Sequence, residues 1–299
     1  MPRRVRHGYT LIELVVSMAI LGIVGSVLAN IMMGQQRFFQ RTVEQMSVRR
    51  ELRTAMNLLP TELRGVSSAA GDITDFTTSS VTFRSTLGAS IVCAKSSTTS
   101  IDLPPTNTAR MITSNWYVQP AVGDTVFAVR NDSSGTKGDF WTAHRITAIA
   151  TATSYCVGSV YVDSTRDVGK TRYRLTVTPA LPDSVVAGSG LRFTRSGKYT
   201  LVQQASGRYY LSRSEYLNGA WSTAVPVSGP YRAPTSGGLS LSFYDSTGVV
   251  VSTVANATKI ARIDLVLRAQ GLSSSGTFGS ATTTVIDSVA LRVALRNRR

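Results

Sequence analysis

The side chains that most often carry enzyme chemistry are scarce in this chain. In 299 residues there are two histidines, His7 and His144, and two cysteines, Cys93 and Cys156. A structural zinc site needs four such ligands, usually in close pairs, and a Ser-His-Asp or Cys-His mechanism would have to rest on His144 alone. The sequence therefore predicts no enzyme, no catalytic residue, no metal site and no cofactor.

The carboxylate with the most unusual surroundings is Glu13, which lies at the start of a long apolar run. No charged residue occurs from Leu14 to Met33, and no Lys or Arg occurs between Arg6 and Arg37. Twenty helical residues rise about 30 Å, the thickness of the hydrocarbon core of a bilayer. A carboxylate in such a segment costs on the order of 3 kcal/mol if it lies centrally and less near the edge, so it needs a partner.

Cleavage of the chain between Gly8 and Tyr9 would create that partner. The freed amino group of Tyr9 would carry a positive charge and could pair with Glu13 of a neighbouring subunit, which would set the register of helix packing. Two other interpretations remain open. The apolar run is also consistent with a plain membrane anchor, or with a signal peptide cleaved after Ala29, which would release a soluble exported β protein.

The segment from Gly8 to Val16, which reads GYTLIELVV, resembles the prepilin cleavage and methylation motif of type IV pilins and type II secretion pseudopilins. The resemblance implies that a prepilin peptidase cuts after Gly8 and methylates the amine of Tyr9, and that Glu13 forms the assembly salt bridge. Tyr9 stands where the family usually has Phe. Three arginines lie in residues 1–8, so the positive-inside rule leaves this leader in the cytoplasm and the rest of the chain outside.

Helical character continues beyond the apolar run, over residues 34–64. Leu52, Met56, Leu59 and Leu63 recur at spacings of four, three and four, which predicts one apolar stripe that packs on the following domain. Pro60 predicts a kink or an end near the last turn.

Beyond residue 64 the helical period disappears and short alternating apolar segments predict strands. Ser196-Gly197 and Asn218-Gly219 predict hairpin turns, and Ser67–Thr78 predicts a loop. The predicted fold class is α+β, a long N-terminal transmembrane and amphipathic helix packed on a large antiparallel β body. The predicted organisation is a cleaved leader at 1–8, a transmembrane half-helix at 9–33, an amphipathic half-helix at 34–64 and an extracytoplasmic β-rich domain at 65–299.

Short pieces of the body are similar to PilW-type minor pilins, which share the architecture of J-type pseudopilins. These pieces are Arg53–Ala55, Glu62–Gly65, Val122–Asp124, Leu239–Tyr244, Gly248 and Val289–Arg292. The resemblance implies a minor pilin of a type IV pilus that takes part in filament initiation at the tip. Its implied partners are other pilin subunits, the prepilin peptidase, the inner-membrane assembly platform and the membrane. Its implied location is the bacterial inner membrane, then the pilus or pseudopilus. The alternatives are a type II secretion pseudopilin, or a DNA-binding or adhesive competence pilin.

Outside the cytoplasm disulfides persist, so the sequence favours a bridge between Cys93 and Cys156 over two separate buried thiols. The chain has 32 Lys and Arg against 17 Asp and Glu, a net charge of +15. The sequence favours solvated strand faces as the reason for this excess, because no basic run longer than two residues occurs inside the body, over attraction to an acidic polymer or to lipid head groups. Arg208, Tyr209, Tyr210 and Arg213 place aromatics beside cations, as in single-strand DNA binders, although cross-strand packing accounts for the same pattern.

Overall fold

The computed structural model describes residues 10–106, 113–130, 140–275 and 283–295. It contains one long helix, α1 (Leu11–Arg64), and two short 3₁₀ turns, Pro234–Ser236 and Val254–Lys259. The strands of this part of the chain are β1 (Ile73–Thr77), β2 (Ser80–Ile91), β3 (Ala94–Ser97), β4 (Ser100–Leu103), β5 (Asn115–Trp116), β6 (Thr125–Arg130), β7 (Phe140–Ala152), β8 (Arg172–Thr178), β9 (Gly190–Gln203), β10 (Tyr209–Leu217), β11 (Ala220–Trp221), β12 (Val225–Tyr231), β13 (Leu239–Tyr244), β14 (Arg262–Ser275) and β15 (Thr283–Ala294).

The strands form one large antiparallel sheet, which confirms the predicted α+β class with a long N-terminal helix. The main path runs β13-β14-β12-β10-β9-β6-β7-β8-β4-β3. The other strands attach at its sides, with β2 on β9, β1 and β5 on β2, β11 on β10 and β15 on β14. The long strands β2 and β9 pair from Ser80↔Thr200 to Ile91↔Gly190, with a bulge between Thr86 and Gly88.

The chain divides into two compact units. In its described part, the first unit comprises residues 10–50, 270–275 and 283–287, and the second comprises residues 51–106, 113–130, 140–269 and 288–295. Within the first unit, Arg49 Nε lies 3.3 Å from Asp287 Oδ2. A Cβ atom at Gly271 would lie 2.5 Å from the carboxylate oxygen of Glu44, so a larger residue there would require the Glu44 side chain to move.

Within the second unit the last turns of α1 pack against the sheet through the predicted apolar stripe. Leu52, Leu59 and Leu63 are buried, as is Ala55, which lies between them on the same side. Burying each large aliphatic side chain contributes about 1.5–3 kcal/mol. Pro60 lies in the final turn, and the helix ends four residues later at Arg64. Three of the four predicted stripe residues are therefore buried, whereas Met56 is only partly buried, and the helix ends close to the proline.

A second apolar cluster of this unit lies away from the helix, between β2, β4, β6, β7, β8 and β9. Its central members are fully buried aliphatic and aromatic side chains: Val92, Ile101, Val126, Ile146, Leu175, Leu191 and Phe193. Because β9 contributes Tyr199 to the helix-facing core and Phe193 to this cluster, the strand joins the two parts of the core.

Candidate functional site: the amino-terminal helix

The first turn of α1 closes through a reciprocal pair of contacts between Thr10 and Glu13. The Glu13 carboxylate oxygen Oε2 accepts from the backbone N–H of Thr10 at 3.3 Å and from its hydroxyl at 3.4 Å. The backbone N–H of Glu13 donates in turn to Thr10 Oγ1 at 3.4 Å. The Glu13 N–H also donates to the Thr10 carbonyl oxygen at 3.1 Å, so the contacts have the capping-box pattern and the Thr10 N–H is the backbone donor that gains a side-chain partner.

A carboxylate in the first turn also lies at the positive end of the helix dipole. Such an arrangement stabilises a helix by roughly 0.3–1 kcal/mol. The predicted cleavage residues, Gly8 and Tyr9, lie outside the described residues. Glu13 lies in the first turn of α1, four positions along the sequence from Tyr9, with Thr10 as its local partner.

The apolar run that follows is helical throughout and its side chains are exposed. Met18, Leu21 and Ile23 are each about two-thirds exposed, at 65, 69 and 66%. By length and composition, α1 is long and apolar enough to cross a membrane. Its hydroxyl groups are satisfied inside the helix, because Ser17 Oγ donates to the carbonyl of Glu13 at 2.7 Å and Ser26 Oγ to that of Ile23 at 2.8 Å. Such local bonds remove the cost of placing a hydroxyl in hydrocarbon.

Residues 3–29 match the family model of the prokaryotic N-terminal methylation motif. This match supports a type IV pilin-like protein. It implies association with other pilin subunits and with the prepilin peptidase, and together with the apolar helix it supports membrane anchoring and a pilus location. The motif marks a structural subunit, a class that is generally not enzymatic. No curated protein and no solved structure matches the chain.

His144, the histidine on which a catalytic triad would have depended, is a buried structural residue. Its Nδ1 lies 2.8 Å from the carbonyl oxygen of Pro179 and its Nε2 lies 2.8 Å from the hydroxyl of Thr142. Both ring nitrogens are thus engaged in bonds that hold β7 in place. In the described ranges, no three His, Cys, Asp or Glu side chains approach closely enough to hold a metal ion.

Cys93 and Cys156 form a disulfide, with their Cα atoms 5.6 Å apart. Both are buried, and they pack against Val162 with Tyr155 and Tyr161 beside them. Cys156 adopts a φ of 60°, in the left-handed region. The bridge ties the 153–171 segment between β7 and β8 to the junction of β2 and β3.

A chain of ion pairs that the sequence analysis did not foresee joins the end of α1 to the sheet. Arg213 Nη1 donates to Glu62 Oε1 at 3.0 Å, and its Nη2 lies 3.2 Å from Glu215. Arg195 contacts Glu215 at 3.3 Å and binds both carboxylate oxygens of Asp124 at 2.9 Å. The hydrogen bond to Asp124 raises the pKa of Arg195. No local pattern signals this set, because its helix-to-sheet pair lies 151 positions apart.

Thr10 is a second residue that the sequence analysis missed, and in this case a signal was present. Thr10 and Glu13 have the Ser/Thr-x-x-Glu spacing that precedes an apolar helix in a capping box. The pattern Thr10-Leu11-Ile12-Glu13 therefore assigns Glu13 a local role beside the assembly role that the family resemblance implies.

Proposed function

We propose that this chain is a minor pilin, similar to PilW, of a type IV pilus. In this proposal the prepilin peptidase cuts after Gly8 and methylates Tyr9, and the processed chain enters a filament through α1, with its β body at or near the tip. The observation that carries the proposal is the exposed apolar helix that begins with the Thr10–Glu13 pair, inside the segment that matches the methylation motif.

The proposed role of Glu13 follows from the charge balance at the tip of the helix. After cleavage, the amino group of Tyr9 would be the nearest cation, because the next basic residue is Arg37. An unpaired carboxylate and an unpaired ammonium in hydrocarbon are each costly, whereas the two together are less so. Pairing between subunits would therefore favour one axial register of neighbouring helices.

The Thr10–Glu13 capping contacts supply the partner that Glu13 uses before a neighbouring subunit arrives. They are long hydrogen bonds, at 3.3–3.4 Å, and are correspondingly weak. Exchange of this local partner for an ammonium of the adjacent chain replaces a weak neutral donor with a charged one. The carboxylate thus has a partner in the membrane and a stronger one in the filament.

The test is a Glu13→Gln substitution in the producing cell, followed by separation of membrane and sheared-surface fractions. The amide keeps the size of the side chain and removes the charge, so we expect cleavage after Gly8 to continue while the amount of chain in the sheared fraction falls at least tenfold. Ser26→Ala is the matched control, because Ser26 lies on the same apolar helix and its hydroxyl donates to the Ile23 carbonyl of that helix.

Wild-type levels of the Glu13→Gln chain in the sheared fraction would contradict the assembly role. Deletion of the whole chain separates the two machines that use this motif. Loss of surface pili supports the proposed pilus subunit, whereas loss of protein secretion with intact pili would assign the chain to a type II secretion pseudopilus.

A further inference from the structure

The segment that follows the apolar run of α1 differs sharply from the run in composition. Residues 35–41 read QQRFFQR, with two phenylalanines, two arginines and three glutamines, and we call this segment the collar. The collar belongs to the first unit and is helical throughout. Seven helical residues make nearly two turns, so their side chains surround the helix on all sides.

The two phenylalanines of the collar, Phe38 and Phe39, are 74 and 69% exposed. The fold buries the other phenylalanines whose side chains are described, and each of them is at most 7% exposed: Phe76, Phe83, Phe127, Phe193 and Phe243. Consecutive helical residues point about 100° apart, so the two exposed rings lie on different sides of α1. A seam for one neighbouring helix would instead repeat at three- and four-residue spacings. The two rings therefore fit an environment that surrounds the helix.

The spacing of charges along α1 matches the thickness of a bilayer. Arg37 is the first charged residue after Glu13, and the 23 uncharged residues between them rise about 35 Å. The hydrocarbon core of a bilayer is about 30 Å thick, and the interfacial layer on each side adds about 5–7 Å. When the apolar run fills the core, Arg37 and the two phenylalanine rings therefore lie in the headgroup layer at the carboxyl end of the run.

A hollow on the surface of α1 connects the collar with the apolar run. Ile31 and Gly34 line it on the side of the run, and the other lining residues belong to the collar: Gln35, Gln36, Phe38, Phe39 and Gln40. Gly34 contributes no side chain, and a Cβ atom there would have no neighbour within 4 Å. The hollow thus has apolar groups toward the run and amide groups toward the collar. A phospholipid has the same order, with acyl chains below its ester and phosphate groups.

We propose that the collar binds phospholipid headgroups and thereby sets the depth of α1 in the bilayer. Arg37 and Arg41 lie one turn apart on the same side of the helix, and a guanidinium group matches the geometry of a lipid phosphate. The glutamine amides would donate to the ester carbonyls, and the rings of Phe38 and Phe39 would lie at the level of the glycerol groups. The rings favour a deeper position and the arginines a shallower one, so the helix has one preferred depth.

This lipid contact rests on one part of the proposed function, namely that α1 crosses a bilayer. It does not depend on cleavage after Gly8 or on the pairing of Glu13 with a neighbouring subunit. It also adds to membrane anchoring, because an apolar run alone would allow the helix to slide along its axis. The collar therefore makes a prediction about depth that the apolar run by itself does not make.

The test measures the depth of a fluorescent label in the full chain, with one chain per nanodisc of phosphatidylcholine and phosphatidylglycerol. Both cysteines of the chain are in the disulfide, so Met33→Cys supplies a single free thiol for the label. Lipids with a nitroxide at a shallow or a deep acyl position quench the label, and the ratio of the two effects reports its depth. We expect Arg37→Leu with Arg41→Leu to move the label deeper by about one helical turn, roughly 5 Å. Phe38→Ala with Phe39→Ala should move it a similar distance toward the headgroups.

Tyr117→Ala and Arg166→Leu are the matched controls, because they remove an exposed aromatic ring and an exposed arginine of the second unit. Neither should change the depth of the label. A label at Leu21→Cys reports insertion separately, and the deep nitroxide should quench it strongly. If that label is inserted, an unchanged depth at Met33→Cys in both collar variants would overturn the lipid contact alone. A label at Leu21→Cys that neither nitroxide quenches would contradict a membrane-spanning α1, and the lipid contact with it.

Discussion

Tyr231 is one of the residues that fix the end of α1 to the sheet in the second unit. Its hydroxyl lies 2.8 Å from the hydroxyl of Ser228 and donates to the backbone carbonyl of Glu51 at 3.3 Å. Glu51 in turn accepts from the backbone N–H of Gly229 at 3.3 Å. A helix turn is thus held by a side chain from β12, and burial raises the pKa of Tyr231 to about 12.

This raised pKa predicts a loss of stability in strong base. Below pH 10 the phenol is protonated in both the folded and the unfolded chain, so it contributes fully to the free energy of unfolding. From pH 10 to about pH 12 only the unfolded chain releases its proton, and the free energy of unfolding should fall by up to about 1.4 kcal/mol per pH unit from this group.

Urea unfolding at several pH values, followed by tryptophan fluorescence, measures the effect. Tyr231→Phe should cost about 1 kcal/mol at pH 8, because it removes a buried hydrogen bond, and it should show a shallower decline between pH 10 and 12. An identical decline in the two chains would show that Tyr231 does not keep its proton in the folded state.

The residue-scale features differ in how far the sequence could predict them. Glu13 could be identified because it is a carboxylate in an apolar run. The capping signal lies in the same segment, because Thr10 stands three positions before Glu13. The ion pair between Arg213 and Glu62 gives no such signal, because its two residues are 151 positions apart and meet only in the folded chain. Local patterns therefore indicate the start of the helix but cannot predict contacts between residues that are distant in sequence.

Among the elements, the connection from β7 to β8 is the least regular. It spans residues 153–171, longer than most structureless loops, and three of its valines, Val157, Val160 and Val168, are at least 72% exposed. Inside it, the buried carboxylate of Asp167 accepts from Lys170 Nζ at 2.8 Å, and Arg172 Nη1 donates to the carbonyl of Tyr155 at 2.7 Å. The disulfide adds a covalent link to these hydrogen bonds.

The disulfide closes a loop of 63 residues in sequence, so its removal should have a large effect on the unfolded chain. In the chain-entropy model, a loop of that length corresponds to about 4 kcal/mol. We expect a Cys93→Ser, Cys156→Ser double variant to lose about this much free energy of unfolding in urea. The wild type in reductant is the matched comparison, and a loss below about 1 kcal/mol in both would contradict the structural role of the bridge.

Turn chemistry predicted one hairpin correctly and one wrongly. Asn218-Gly219 joins β10 to β11, as predicted. Ser196-Gly197 lies instead inside β9, where Gly197 pairs with Phe83 on one side and Glu215 on the other. A Cβ atom at Gly197 would lie 3.8 Å from Arg213 Nε, an ordinary van der Waals distance, so packing does not require glycine at this position. The sequence pattern could not distinguish a turn from a glycine inside a strand whose pairing partners, Phe83 and Glu215, lie elsewhere in the sequence.

The predicted loop Ser67–Thr78 is also partly wrong, because Ile73–Thr77 forms β1 against β2. The segment contains two threonines and an aspartate, so its own sequence favours a loop. Its strand conformation comes from the pairing Phe76↔Val81 and from contact of Phe76 with Phe243, with ring centres 4.3 Å apart. Tertiary contacts outweigh weak local propensity in this segment.

At the scale of the whole molecule, the exposed apolar part of α1 is unfavourable in water. Leu11 to Met33 present large apolar side chains that are 45–84% exposed. Exposed apolar area of this extent marks a surface that lipid or other apolar helices cover. Removal of the predicted leader takes away Arg3, Arg4 and Arg6, which lowers the net charge from +15 to +12 and leaves the amino group of Tyr9 as the only cation before Arg37.

The most direct test of this account is mass spectrometry of the amino-terminal peptide from membrane and sheared-surface fractions. If the chain is processed as proposed, both fractions will contain a peptide that begins at Tyr9 and carries one added methyl group. A peptide that begins at Asn30 would show cleavage after Ala29, and Glu13 would then be absent from the mature chain. Either that result or an uncleaved amino terminus in both fractions would contradict the proposed assembly role of the helix.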